Sequence, residues 1–142
     1  MSRRDEGSIL PLVAGYVALA LALIVVVIAA SSLYLTRARL YAVADGAALA
    51  AAESFPLEAV AVDGSGVVRA QLEEGLVDEA AARYLESAPT RLEELTLLES
   101  GTPDGRSADV RLAATWRPPL VSALLPAGVR VEVTSTARTA FR

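Results

Sequence analysis

The chain divides into a long uncharged N-terminal run and a C-terminal part in which apolar and charged positions alternate. From Gly7 to Thr36 no residue carries a charge, a run of 30 positions, whereas about 20 apolar residues are enough for a helix to cross a bilayer. A signal peptide has a shorter apolar core of about 7–15 residues. The pattern therefore predicts a transmembrane helix over residues 9–36 after a short head at residues 1–8. Cleavage after Ala30 or Ser32 is the alternative, because both are small residues.

The segment after the span keeps a helix-forming composition, and Pro56 ends it. We therefore predict that the helix continues as an alanine-rich stalk over residues 37–55. Gly46 interrupts the alanines and marks either a bend or a close contact. Five apolar residues recur at spacings of seven, four, three and four, which places them on one face of the helix: Leu33, Leu40, Ala44, Ala47 and Ala51.

The remaining chain, residues 56–142, predicts a small α+β domain. Apolar residues at steps of four predict a second helix between Val68 and Pro89. A β-hairpin follows, in which LEELTLLES and SADVRLAATW flank the turn residues of GTPDGRS, and a third strand begins at Val129. The expected fold is thus a long transmembrane helix that continues into a stalk, then a helix packed on a three-stranded antiparallel sheet.

The strands show the period-two alternation of a sheet with one buried face. Between them, RPPLVSALLPAG is expected to cap the sheet, or else to offer an apolar patch to a partner. The residues predicted to face the core are Val110, Leu112, Ala114, Trp116, Val129, Val131 and Val133.

Composition removes most of the chemistry that an active site would need. The chain has no cysteine, histidine or lysine, and its net charge is −4, so thiolate, imidazole and amine chemistry are absent and clustered positive charge for nucleic acid is not expected. Carboxylates such as Glu73, Glu74 and Asp78 are the only basis for an enzyme, and a solvated helix face explains them better. We predict no enzyme, no catalytic, cofactor-binding or metal-binding residues, and no nucleic-acid partner.

Asp45 is the acid in the middle of the alanine-rich segment. Its neighbours three and four positions away on the helix are Tyr41, Ala42, Ala48 and Leu49, none of which is basic. Asp45 is therefore expected either to face water or to pair with an arginine elsewhere in the chain. The candidate partners are Arg69, Arg83 and Arg117.

Three features stand together in the N-terminal 55 residues: a Gly-Ser before the span, a short arginine cluster after it, and an aspartate followed by a run of alanines. They lie at Gly7, Ser8, Arg37, Arg39 and Asp45 to Ala52. With these features the segment resembles the TadG-like and TadE-like proteins of the tight-adherence (Flp) pilus system, whose members carry a DAAALAAA-type continuation. The resemblance implies a pilin-like layout.

One position departs from the pattern of type IV-like prepilins, which are cut after a glycine and carry a glutamate at the fifth mature position. If Gly7 and Ser8 flanked such a processing site, the fifth position would be Leu12. The departure argues against cleavage there and against a role as a major pilin subunit. It fits an accessory or minor component.

The resemblance implies a single-pass protein of the bacterial cytoplasmic membrane that acts in assembly or anchoring of a Tad/Flp-type pilus or related secretion apparatus. We expect the N-terminus inside and the domain outside the cell, with the lipid bilayer and other pilus components as partners. The N-terminal helix would support homo- or hetero-oligomers, with packing contacts at Asp45, Gly46, Ala47, Ala48 and Ala51. An extracytoplasmic binding or sensor domain on a signal-anchor is the alternative.

Overall fold

The computed structural model describes residues 9–54, 61–62, 68–69, 72–120, 122 and 126–138. Two helices and five strands are defined within these residues. In chain order they are α1 (Ile9–Ala52), β1 (Ala61–Val62), β2 (Val68–Arg69), α2 (Glu74–Ser87), β3 (Glu93–Gly101), β4 (Ser107–Trp116) and β5 (Val129–Arg138).

The predicted three-stranded sheet is confirmed. The strands lie in the order β3-β4-β5, and both pairs are antiparallel. The pairing of β4 with β5 is regular from Ser107 opposite Arg138 to Trp116 opposite Val129. α2 begins at Glu74, later than predicted, because Val68 and Arg69 pair with β1 in a separate two-stranded ladder.

α1 is one continuous helix of 44 residues, so the predicted continuation of the span is confirmed. Its C-terminal half packs on β4, β5 and α2, while α2 also packs on β3. The α+β layout is therefore as expected, and α1 itself supplies a large part of the helical layer. In the segment expected to cap the sheet, Leu120 is 70% exposed, and Val121, Leu124 and Leu125 lie outside the described residues. The capping role and the boundaries between span, stalk and domain stay a prediction.

The core is centred on the face of α1 that the sequence spacing predicted. Leu40, Ala44, Ala47 and Ala51 are fully buried, and Leu33 packs against the edge of this cluster. The small alanine side chains let the helix backbone approach the sheet closely, which brings many atoms into van der Waals contact. The predicted stalk is thus a central element of the domain.

The alternation on the strands is confirmed at most inward positions. Val110, Leu112 and Ala114 on β4 are buried, as are the central valines of β5. Val129 is the exception, because 42% of it is exposed, and the prediction that it faces the core is wrong. It begins β5, which is an edge strand, and it pairs with Trp116 at the end of β4, so it lies at a corner of the sheet.

Candidate assembly and membrane surface

The N-terminal half of α1 presents apolar side chains on all sides. Every residue from Ile9 to Ile24 is exposed within the chain, and α1 is long and apolar enough to cross a membrane. An exposed apolar surface of this size is unfavourable in water and is typical of a contact with a membrane or another protein. This half therefore needs lipid or another helix around it.

The residues predicted as packing or assembly contacts fall into two groups. Ala47, Ala48 and Ala51 are fully buried in the core of this chain, so they are packing residues of the chain itself. Asp45 is exposed and Gly46 is half-buried. Any part that these five residues play between subunits stays a prediction, and Gly7 and Ser8 lie outside the described residues.

Gly46 is a point of close contact between α1 and α2. A Cβ atom built on Gly46 would lie 2.0 Å from the hydroxyl oxygen of Tyr84 and 2.4 Å from the ring carbon that bears it. Real Cβ atoms do not come so close to other heavy atoms, so the Tyr84 ring occupies the space that a side chain would need. Of the two predictions for Gly46, the close contact is confirmed.

Asp45 binds a hydroxyl rather than a guanidinium. Ser135 on β5 donates its Oγ hydrogen to Asp45 Oδ1 at 2.5 Å. Arg83 pairs with Glu79, and Arg117 pairs with Glu93 and Glu94. The side chain of Arg69 is outside the described residues. Within the described part of the chain, the predicted pairing of Asp45 with an arginine is therefore not found.

One contact ties the sheet to the start of the domain half of α1. The indole Nε1 of Trp116 donates a hydrogen bond to Ser32 Oγ at 3.2 Å. Ser32 lies within the uncharged run, so this end of the sheet lies beside the membrane-spanning segment. The sequence alternation predicted Trp116 as a core residue, but it gave no signal for a hydroxyl partner 84 positions earlier.

The opposite end of the sheet is closed by a polar turn around Asp104. Its Oδ1 accepts hydrogen bonds from the backbone N–H groups of Arg106 at 2.9 Å and Ser107 at 2.6 Å. Its Oδ2 pairs with Arg138 at 3.0 Å. The backbone donors, Ser107 first, lower the pKa of Asp104 to about 2. This turn orders the far end of the hairpin.

The carboxylates that the sequence offered for an enzyme have different surroundings. Asp78 accepts a hydrogen bond from Ser100 and is exposed, whereas Glu74 lies on an open groove of about 450 Å³ together with Glu99 and Asp109. Among the residues that the structure describes, no group of three or more acidic side chains could hold a metal ion.

A single exposed apolar helix joined to an α+β domain fits the class of single-pass membrane proteins. Residues 7–54 match the family described as "Putative Flp pilus-assembly TadE/G-like", which confirms the resemblance over this segment. The matched segment contains all of α1 and ends before the sheet. No curated protein and no solved structure matches the chain. The family supports a role related to the pilus.

Proposed function

We propose that the chain is a non-catalytic, single-pass component of a Tad/Flp-type pilus or related secretion apparatus. It acts in assembly or anchoring, as an accessory or minor pilin-like subunit of the bacterial cytoplasmic membrane, with its N-terminus inside and its domain outside. The observation that carries this proposal is that one helix, α1, is both the apolar span and part of the domain core.

The continuity of α1 gives the proposal a mechanical basis. A helix of 44 residues is about 66 Å long at about 1.5 Å per residue, and the bilayer core takes only about 30 Å of it. Because the buried face of the outer half is fixed to the sheet, a force on the spanning half is passed directly to the domain. A rigid joint of this kind suits an assembly or anchoring role.

Gly15 offers a place on the span where another helix can approach. Nothing in the described chain lies within 4 Å of a Cβ atom built on Gly15. Small residues let transmembrane helices pack closely, because lipid supplies no hydrophobic driving force between them. We infer that this face contacts a second copy or another apparatus component.

The main test replaces Gly15 in cells that otherwise lack this protein. Gly15→Leu is expected to lower the yield of sheared pili several-fold while the protein still reaches the membrane. Ala20→Leu is the matched control, since five residues turn the helix by about 140° and place Ala20 away from the Gly15 face. Wild-type piliation with Gly15→Leu would exclude this face as an assembly contact. Wild-type piliation in the deletion strain would contradict the proposed function itself.

Asp45 provides a separate test of the outer half of the helix. Asp45→Ala removes an exposed carboxylate whose described partner is Ser135, so we expect little change in the unfolding midpoint and a reduced pilus yield. Glu53→Ala, at an exposed acid just after the end of α1, is the control. A fully assembly-competent Asp45→Ala variant would leave Asp45 with no role beyond solvation.

Mass spectrometry of the mature N-terminus separates an anchored protein from a processed one. A chain that begins at Met1 or Ser2 in the membrane fraction is the expected result for an accessory component. A chain that begins at Ser8 in sheared fibres would instead show processing after Gly7 and incorporation as a subunit.

A further inference from the structure

The end of the domain nearest the span carries excess positive charge, although the chain as a whole has a net charge of −4. Arg37 and Arg39 lie on α1, Arg91 precedes β3, and Arg117 follows β4. Glu93 and Glu94 bind Arg117, and Glu93 also lines a groove with Arg39 and Arg91. This end of the domain therefore has a sign opposite to that of the whole chain.

The contact between Trp116 and Ser32 indicates where this positively charged end of the domain lies relative to the bilayer. Ser32 lies 23 residues after Ile9, which is about 35 Å along a helix, and the bilayer core is about 30 Å thick. A helix whose span begins near Ile9 thus leaves the hydrocarbon near Ser32. Trp116 then lies at the level of the headgroups, where tryptophan is enriched in membrane proteins.

Two adjoining grooves open at this level. A groove of about 120 Å³ lies between α1 and the sheet, with Ser32 and Thr36 on one side and Trp116 on the other. A second groove, of about 410 Å³, lies between α1 and the segment that leads into β3. Arg39 and Arg91 line both grooves, so two guanidinium groups from different parts of the chain face one shared space.

The arginines at this end differ in how they are neutralised. Arg117 is paired with two glutamates, and the Arg37 guanidinium lies over the Tyr41 ring at 5.9 Å from its centroid. Within the described residues, neither Arg39 nor Arg91 has an ion pair or a hydrogen bond from its guanidinium. Both keep their donors for a ligand.

We propose that Arg39 and Arg91 bind the phosphate of an anionic glycerophospholipid headgroup. Guanidinium groups form strong charge-assisted hydrogen bonds with phosphate oxygens. The Ser32 hydroxyl, whose oxygen accepts from Trp116, keeps its own hydrogen to donate. The apolar surface of α1 continues directly below the grooves, so the acyl chains have a place that a soluble phosphate would not use. This site does not depend on the role in pilus assembly.

The chain contains one tryptophan, which makes Trp116 a reporter within the proposed site. Full-length protein is reconstituted in phosphatidylcholine bilayers that contain equal fractions of either brominated phosphatidylglycerol or brominated phosphatidylcholine. Stronger quenching of Trp116 by the anionic lipid is expected. The double variant Arg39→Gln with Arg91→Gln should reduce the preference for the anionic lipid by about fivefold for each arginine removed. A factor of about five corresponds to the attraction of one basic residue to an anionic surface.

Arg106→Gln with Arg111→Gln is the matched control, because it removes the same charge at positions farther from the span. This control variant should keep the preference for the anionic lipid. Arg39→Lys with Arg91→Lys should keep most of the preference, which would confirm that the two positions tolerate substitution. Equal quenching of the wild-type protein by the two lipids would overturn the proposal. So would loss of the preference in the control, or its removal by inorganic phosphate in solution.

Discussion

The two halves of α1 have opposite relations to the rest of the chain. From Ile9 to Ile24 every side chain is exposed, including large apolar residues on all sides of the helix. From Leu40 to Ala52 one face is fully buried, and it consists almost entirely of alanine. Large exposed side chains in the first half and small buried ones in the second half therefore give one continuous helix two different surroundings.

Both halves are apolar, but for different physical reasons. In the first half the apolar side chains require a lipid environment, because nothing in the described chain covers them. In the second half small side chains permit close packing against a sheet, where each atom gains dispersion contacts. Variants in each half can show whether the two halves are as different as their burial indicates.

The largest expected effect is at Leu40, the fully buried leucine of the domain half. Leu40→Ala should lower the free energy of unfolding by about 2–5 kcal/mol, because it removes buried methyl groups and leaves a cavity. Leu49→Ala is the control on the same helix: this residue is 54% exposed, and its replacement should change stability by less than about 0.5 kcal/mol. Chemical denaturation in detergent measures both. Equal losses would contradict the assigned faces.

Two glycines allow the same comparison between the halves. Gly46→Ala should cost about 1–3 kcal/mol from overpacking against Tyr84, offset by about 1 kcal/mol of helix propensity. In a Tyr84→Ala background the clash is gone, and the same change should become stabilising. Gly15→Ala, with open space around it, should leave the unfolding of the domain unchanged. A Gly46→Ala effect that is independent of residue 84 would refute the contact.

One contact between the sheet and the span is the hydrogen bond from Trp116 to Ser32. Ser32→Ala should cost about 0.5–1.5 kcal/mol, the net contribution of a typical intramolecular hydrogen bond. Ser31→Ala is the control, since Ser31 is an exposed neighbour. The emission maximum of Trp116 should also shift with Ser32→Ala alone. Indistinguishable spectra for the two variants would argue that the sheet does not reach this level of the helix.

The smallest effect is expected at the end of the domain farthest from the span. The pKa of Asp104 is lowered from 3.8 to about 2 by the N–H groups of Ser107 and Arg106, so the charged form stabilises the fold. This contribution is present above pH 3.8 and is lost as the pH falls through about 2. Asp104→Asn should flatten the stability curve in this window. A curve parallel to that of the wild type would contradict the role of the carboxylate.

Much of the fold could be predicted from local pattern. The length of the uncharged run, the face from Leu40 to Ala51 and the alternation on β4 each follow from a period that the sequence displays directly. The start of α2 was predicted too early, because the pairing of β1 with β2 overrides helix propensity. Val129 was wrongly predicted to be buried, because the alternation of a strand does not show where the strand extends past the helices that cover the sheet.

The contacts between distant residues could not be predicted. Trp116 with Ser32, Asp45 with Ser135 and Gly46 with Tyr84 join positions far apart in the chain, and each depends on how α1 is seated on the sheet or on α2. The unpaired state of Arg39 and Arg91 likewise follows from the three-dimensional position of the acids rather than from their number.

Cysteine accessibility along α1 tests the central claim most directly, because the chain has no native cysteine. Single cysteines at Val13, Val17 and Val27 should resist a water-soluble maleimide in native membranes. Cysteines at Tyr41, Asp45 and Leu49 should react, while those at Ala44, Ala47 and Ala51 should react only after denaturation. This pattern would establish a lipid-covered span continuous with a domain-packed helix. Uniform reaction from residue 40 to residue 52, or reaction at the three valines, would contradict the account.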